Sequence, residues 1–579
     1  MDNITIARLL DETAALLEID AADPFRIRSY RRAAEAVEQQ TTQLVTLAED
    51  PKQLLAIAGI GKGMASNIVD IVNTGTLPLR EELLTRYKPS MLELLRLPGM
   101  GPKTVALIWS ALQVADIDAL EEAAKAGHLN KLPRMGEKFT TKLLKGIEDY
   151  RKNSSRFRVD HAHEHAERIS ALIREFPGID EITPAGSLRR GRETVGDLDL
   201  LVTGPACEPN VVAAAVEHVA NLPLIDKLLA RGQNKVSFTL RNQLQVDVRL
   251  LPRASYGAAL QYFTGSKMHN VALRQRAIKR GLTLNEYALL RVEDNTIVAA
   301  ETEEAIYRAL DLDYIPPELR ENGGELEAAA AHTLPQLITL TDIRGDLHMH
   351  TVETDGSNTI REMAEAAADR GLKYIAITDH SKNLAMTNGM DDKRALAHIR
   401  RIREIDAEMN GRIRILAGVE VDILGEGELD LSDETLAEMD VVVASVHSRF
   451  DQPIEQMTER ILRAMENPNV DILGHPTGRK VLKRDPYALH IDTVLKRAAE
   501  LGVAVEHNAS PARSDLTDLH LRLAREHGCR IAVNTDAHST GELDQIRFGI
   551  TQLRRAWLTA PDVLNTLPTA EALLAQLRR

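Results

Sequence analysis

"GSLRRGRETVGDLDLLV" (residues 186–202) ends in an apolar run broken twice, at Asp197 and Asp199. Side chains of an extended strand alternate between faces. Leu198, Leu200 and Val202 therefore share a face turned to a core, and the two aspartates lie side by side on the other. Carboxylates held that close repel unless water screens them or a cation sits between them. The stretch is a wet sheet face or a metal site, and a third carboxylate favours the metal. In "QLQVDVRLL" (243–251), Leu244, Val246, Val248 and Leu250 share a face and Asp247 stands alone opposite them. Asp197, Asp199 and Asp247 on neighbouring strands suit two Mg²⁺ ions, which would activate an attacking hydroxyl and stabilise an in-line phosphoryl displacement. Gly186 and Ser187 offer a phosphate an N–H and a hydroxyl, and Arg190 offers charge for the transferring and leaving phosphates.

Outward from this strand the pattern changes in both directions. A chain of 579 residues is too long for one core, so three or more domains are expected. Residues 1–80 and 81–155 read as helical, with apolar residues three and four apart in "IARLLDETAALLEI" and "MLELLRLPGMGPKTVALIWSAL". Residues 156–250 are strand-rich and 251–315 mixed; 316–339, with Pro, Gly, acids and an Ala run, reads as a linker. From 340 to 579, short β-rich runs alternate with helical stretches, the pattern of a parallel β/α sheet or barrel. The expected class is multidomain, α+β and α/β. No secretory signal or membrane-length apolar run is visible, and the only cysteines are Cys207 and Cys529. A reduced, cytoplasmic setting without a membrane partner is expected.

A net charge of −14 argues at first against a nucleic-acid partner, but the distribution argues for one. Residues 231–280 hold ten Lys/Arg against Asp247 alone, and local basic surfaces bind phosphates whatever the total. A weak repeat supports this: "IAGIGKGMASNIV" (57–69), "LPGMGPKTVALIW" (97–109) and "LPRMGEKFTTKLL" (132–144). Each is a glycine turn opening a helix and followed by a lysine: Gly59, Gly61 and Lys62; Gly99, Gly101 and Lys103; Gly136 and Lys138. Such turns present backbone N–H groups to a phosphate oxygen without reading bases. They resemble helix-hairpin-helix DNA backbone clamps.

The region around Asp197 resembles the nucleotidyltransferase palm of family X DNA polymerases. The likeness extends to "YFTGSKMHNVALR" (262–274) and to "FRIRSYRRAA" (25–34), covering about residues 1–315. It implies a helical DNA-binding domain at 1–80, a fingers-like one at 81–155, a palm at 156–250 and a thumb at 251–315. It also implies dNTP binding by Ser187 and Arg190 at the triphosphate, by Tyr262, Phe263 and Gly265 at the sugar and by Asn270 at the base edge, with Gly186 and Gly196 among the nucleotide-binding residues. Arg274 would lie in the minor groove. Where lyase-active members carry a Schiff-base lysine this chain has Asn67, whose amide cannot form the imine.

The carboxy-terminal region holds eleven of the eighteen histidines, and the informative ones end β-rich runs. These are His348 and His350 ("DLHMHT"), His380 ("TDHS"), His447 ("SVHS"), His475 ("GHP") and His538 ("TDAH"), accompanied by Asp355, Glu420 and Asp536. Residues at the carboxyl ends of barrel strands converge on one rim, and this N/O mixture suits Zn²⁺ or Mn²⁺. His398, His490, His520 and His527 read as surface residues of helices, and His507 fits no ligand position. The order of motifs resembles the PHP (polymerase and histidinol phosphatase) domain, which implies a distorted (β/α)7 barrel over 340–579 holding three ions. One ion would take His348, His350, Glu420 and Asp536; a second Glu420, His447 and His475; a third Asp355, His380 and His538. Arg479 and Arg513 would hold substrate phosphate.

The combined expectation is a monomeric repair polymerase that fills short gaps in double-stranded DNA bearing a 5′-phosphate. It would trim 3′ ends in the barrel, with apurinic-site cleavage or 3′-phosphate removal left open. The rivals are a small-metabolite phosphoesterase with a relic polymerase half and a non-catalytic DNA tether.

Overall fold

The computed structural model describes the chain except residues 1–2, 39–43, 49–50, 58, 96, 98, 134, 154–155, 385–386 and 578–579. Residues 1–155 form one compact unit of helices. Its two hydrophobic cores are built from the apolar stripes of amphipathic helices: Ile6, Leu10 and Leu17 with Ile68 and Ile71 in one, and Val105, Ile108, Leu120 and Leu143 in the other. Among the described residues, no helix is long and apolar enough to cross a membrane.

The second unit holds residues 156–321 and 325–579. Its first layer is a five-stranded sheet in the order Glu181–Pro184, Asp197–Thr203, Gln245–Leu250, Lys235–Leu240, Ile225–Arg231. Leu198, Leu200 and Val202 enter the core beneath helices Val159–Arg174 and Val212–Ala220. The opposite face carries Asp197, Asp199 and Leu201, the last packed against helix Tyr256–Thr264.

Residues 316–321 and 325–337, read above as part of a linker, are packed structure. Leu319, Leu326, Ala329 and Leu337 join the core of the 256–315 region. Arg320 is wholly buried: its Nε donates to the Ile315 carbonyl at 2.9 Å and its guanidinium pairs with Glu303. Glu325 is equally buried, 2.7 Å from His269 Nδ1. Arg320 and Glu325, which suggested solvation, are held inside by an ion pair and by a hydrogen bond to a histidine that burial keeps toward its neutral form. Burial would raise the Glu303 carboxyl, but Arg320 and Arg189 outweigh it and hold the group at about 2. Glu303→Gln leaves a guanidinium buried without its counter-charge and is expected to cost about 3–5 kcal/mol of stability. Because the folded value is depressed, the pair's contribution is complete above the unfolded glutamate range and is lost as pH falls from there to about 2. Denaturant unfolding of both proteins along a pH series checks this; the gap between them should close only in acid.

Residues 340–579 form seven parallel strands in sequential order, Gly345–Asp346, Tyr374–Ile377, Arg414–Asp422, Val441–Ser445, Ile472–Leu473, Ala504–Asn508 and Ile531–Asn534. A parallel bridge from Met349 to Ala537 links the first and last, making a nearly closed barrel. Helices follow most strands and pack outside, the arrangement that right-handed β/α crossovers produce.

Candidate active sites

Parallel pairing of Asp197–Thr203 with Gln245–Leu250 sets Asp199 directly opposite Asp247. Asp197 is exposed, and Asp199 and Asp247 are half-buried. Burial pushes the Asp199 carboxyl up to about 7, and the charges of Asp197 and Asp247 add to it. A divalent cation among the three would remove that penalty. Asp247 Oδ1 is buried with no hydrogen-bond partner among the described residues, the condition a metal ion would satisfy. The other oxygen of Asp247 lies 2.6 Å from Lys235 Nζ. Lys235 was not singled out in the sequence, because strand pairing and not spacing brings it there.

The turn over the aspartates is tight. Gly186 has φ +59°, and a Cβ there would lie 2.7 Å from Asp199 Oδ2. The helical turn Gly186–Arg189 carries Ser187 and leads into Arg190, whose Nε donates to Glu321 at 3.0 Å. A Cβ on Gly265 would meet the Arg190 guanidinium at 3.2 Å, so the "YFTGS" segment closes over that arginine. Tyr262 and Phe263 meet edge to face with centroids 5.1 Å apart, and Arg249 lies 4.1 Å over the Phe263 ring. Asn270 is buried: its amide donates to the Tyr262 carbonyl and accepts from Gln261, both at 2.7 Å. In this arrangement it braces the segment. Arg274 and Gly196 are exposed.

In the barrel, Glu420 is the hub. Its Oε1 lies 2.9 Å from His475 Nε2 and 3.4 Å from His447 Nε2. Its Oε2 lies 3.4, 3.6 and 2.9 Å from nitrogens of His348, His350 and His380. Asp355 reaches His380 at 3.6 Å and His538 at 3.4 Å, and Asp536 reaches His350 at 3.0 Å. The compact groupings are His350, Asp355, His380 and His538; His348, His350 and Asp536; and His380, Glu420 and His447. They differ from the partition set out above: His350 also joins Asp355, His380 joins Glu420 as well as Asp355, Glu420 stands apart from the His348, His350 and Asp536 grouping, and His475 is in none of them. Among the described residues, His348 Nε2, His350 Nδ1, His380 Nδ1, His447 Nε2 and His475 Nδ1 are buried without a hydrogen-bond partner. Several imidazole nitrogens turn toward carboxylates off hydrogen-bond line, a donor set that fits a metal centre. Burial, reinforced by His380, holds His350 down to about 4, and burial with Arg513 does the same for His475, whereas facing carboxylates overcome burial and raise His380 to about 10 and His538 to about 9. Neutral imidazole is the ligating form.

Comparison with known proteins finds matches along much of the chain. The description "DNA polymerase beta thumb" matches residues 259–321, "PHP domain" matches 346–536, and two helix-hairpin-helix descriptions match 1–77 and 91–149. The DNA polymerase/3'-5' exonuclease PolX of Bacillus subtilis (strain 168) is 38% identical over 573 residues, 98% of each chain. The chain belongs to the family X DNA polymerases that carry a carboxy-terminal PHP domain. Probable phosphatases of Thermoanaerobacter sp. (strain X514) and Edwardsiella ictaluri (strain 93-146) are 34% and 33% identical over 38% of this chain, covering 89% and 90% of their own. That stretch is the size of the PHP barrel.

Several residues around the polymerase's barrel site escaped the sequence reading. Glu506 accepts from the His475 backbone N–H and lies beside His348 Nδ1, each at 2.7 Å. Asp422, two residues beyond Glu420 on the same strand face, holds His447 Nδ1 at 2.5 Å. These carboxylates orient the imidazoles from behind, as outer partners of metal-bound histidines do. His398, read as a surface residue, is buried with Nε2 2.9 Å from Asp379. His507 is buried with Nδ1 2.7 Å from the Leu516 carbonyl. His490 is exposed; His520 and His527 are half-buried, the latter 2.8 Å from Asp492.

In the helical unit, Gly59 has φ +103° and Gly61 caps helix Lys62–Thr74, with Lys62 exposed. Gly99, at φ +82°, and Gly101 precede helix Pro102–Leu112, with Lys103 exposed. Two turns of one design thus present amide groups and a lysine to solvent, which suits the DNA binding that the helix-hairpin-helix matches imply. Asn67 donates to the Tyr30 hydroxyl at 2.8 Å.

Proposed function

We propose that this chain is a template-directed DNA polymerase that fills short gaps during repair, and that its barrel is a 3′–5′ exonuclease. The observation that carries the reading is the register pairing Asp199 with Asp247 beside Asp197, in one chain with the barrel-end cluster around Glu420. Asp197, Asp199 and Asp247 would hold Mg²⁺, which supplies activation of the 3′-hydroxyl and charge stabilisation at the phosphates. Ser187 and Arg190 hold the triphosphate; Tyr262, Phe263 and Gly265 line the sugar; Asn270 lies at the base edge and Arg274 in the minor groove. His348, His350, Asp355, His380, Glu420, His447, His475, Asp536 and His538 would hold Mn²⁺ or Zn²⁺, three ions in all, supplying a hydroxide for phosphoester hydrolysis. Arg513 binds the scissile strand's phosphates, and Arg479, which is buried and paired with Glu193, would join it only by releasing that pair. The protein acts as a cytoplasmic monomer on gapped DNA. The test is a one-nucleotide gap with a 5′-labelled primer, supplied with dNTPs and Mg²⁺ and then with Mn²⁺ alone. Extension in the first and shortening in the second are expected; neither would refute the proposal.

The downstream 5′-phosphate is the most concentrated charge at a gap. Lys62, with Arg26, Arg28 and Arg31 exposed in the same unit, is the proposed receiver. A 5′-phosphate should tighten binding without covalent chemistry, and Lys62→Ala should cost about 1–3 kcal/mol of that gain. The advantage should shrink as salt rises. Binding titrations of 5′-phosphate and 5′-hydroxyl gaps at two salt concentrations measure it; equal affinity at low salt removes the idea.

A further inference from the structure

We propose that the outer barrel helix Ile546–Arg555 is a positioning element of the polymerase site, with Arg555 holding the turn that presents Arg190 to the triphosphate. The inference rests on the role given to Arg190 above.

The turn is seated on this helix. Gly191 has φ +67°, and a Cβ there would lie 2.0 Å from Thr551 Cγ2, so only glycine permits the approach. Two side chains of the helix then donate to consecutive carbonyls of the turn. Gln552 Nε2 donates to Gly191 O and Arg555 Nη1 to Arg190 O, each at 2.7 Å. Two residues on, Glu193 pairs with Arg479 of the barrel. On the same helix, Phe548 enters the hydrophobic core beneath the sheet that carries Asp197.

Arg555 is itself fixed. It is buried, and its Nε and Nη2 donate to Asp518 Oδ2 at 2.9 and 2.7 Å. Its Nη1 also reaches Glu321 Oε1 at 3.1 Å, the same oxygen that accepts from Arg190 Nε at 3.0 Å. One carboxylate oxygen therefore joins the two guanidiniums, and Arg555 fixes Arg190 twice: at its backbone carbonyl and, through Glu321, at its side chain. A rigid fork with five donors can make these contacts together, whereas a lysine ammonium cannot span them. Preorganisation of a phosphate-binding arginine lowers the cost of binding the anion, so the effect belongs mainly in substrate affinity.

The test compares Arg190→Gln, Arg555→Gln and the double variant of the full chain in steady-state gap filling, with hydrolysis of single-stranded DNA as a folding control. Arg555→Gln is expected to raise the dNTP KM about tenfold with a smaller change in kcat, the loss of one charge-assisted contact. Hydrolysis should stay within about twofold. Because Arg555 acts through Arg190, the double variant should show a KM no higher than that of Arg190→Gln. Additive KM effects, or an unchanged KM in Arg555→Gln while Arg190→Gln raises it, would overturn the inference. An unchanged KM in Arg190→Gln would instead remove the role of Arg190 on which it rests. If Arg555→Gln does not fold, Arg555→Lys and Gln552→Leu carry the same comparison, and normal KM values in both would be equally fatal.

Discussion

Asp199→Ala is expected to abolish nucleotide insertion and to leave phosphoester hydrolysis in place. Asp199 lies between Asp197, two residues before it, and Asp247, opposite it in the pairing, so its removal opens the middle of the carboxylate set. The loss should reach at least about 10³-fold, the several kcal/mol that charge stabilisation at a metal supplies. Hydrolysis should persist because its side chains end the strands of another sheet. Stability offers a second readout with a definite sign. The folded Asp199 carboxyl is pushed up to about 7, chiefly by burial. Ionising it therefore costs the fold stability; the cost grows as pH rises through that range and is complete above about 7. Without divalent metal, Asp199→Asn should melt higher than the natural protein at pH 8 and show no such gain at pH 4. Added Mg²⁺ should stabilise the natural protein and not the variant. A folded Asp199→Ala protein lacking both activities would mean that the two chemistries are not separate.

The aspartate face was legible because a strand has a period of two, which places Leu198, Leu200 and Val202 against Asp197 and Asp199 without reference to any partner. The pairing of Asp199 with Asp247 was not, since alternation within two strands does not set the register between them. The barrel was legible from the regular spacing of its apolar runs, and the candidate ligands from their places at run ends. How the imidazoles share carboxylates was not, and the contact of His380 with Glu420 is a fact of curvature in the closed sheet. Composition misled at 316–339. Pro, Gly and acids describe backbone freedom and average polarity, but Arg320 and Glu325 are buried because Glu303 and His269, distant in sequence, neutralise or bond them. His398 misled for the same reason: its partner Asp379 lies on another element.

Glu420→Ala should remove hydrolysis more completely than His350→Ala does, with gap filling retained in both. The reason is geometric. Each imidazole offers one nitrogen, whereas the two oxygens of Glu420 lie within 3.6 Å of five histidines and touch every side of the cluster but that of His538. Burial would raise its carboxyl, yet His447, His348 and His380 overcome this and hold it well below the usual range. Losing it removes the charge that compensates bound cations as well as two donor atoms, so the expected fall is on the order of 10³-fold or more. Glu420→Gln separates these contributions, since it keeps the shape and one carbonyl oxygen but not the charge. Elemental analysis after reconstitution with Mn²⁺ or Zn²⁺ should find close to three ions in the natural protein and at least one fewer in Glu420→Gln. His350→Ala should lose ions as well, because His350 joins two of the three groupings, but it leaves the central anion in place and so a partly loaded, slower site. One ion or fewer in the natural protein would sink the trinuclear reading. A full complement with normal hydrolysis in Glu420→Gln would show that the carboxylate charge at the hub does not hold the metals together.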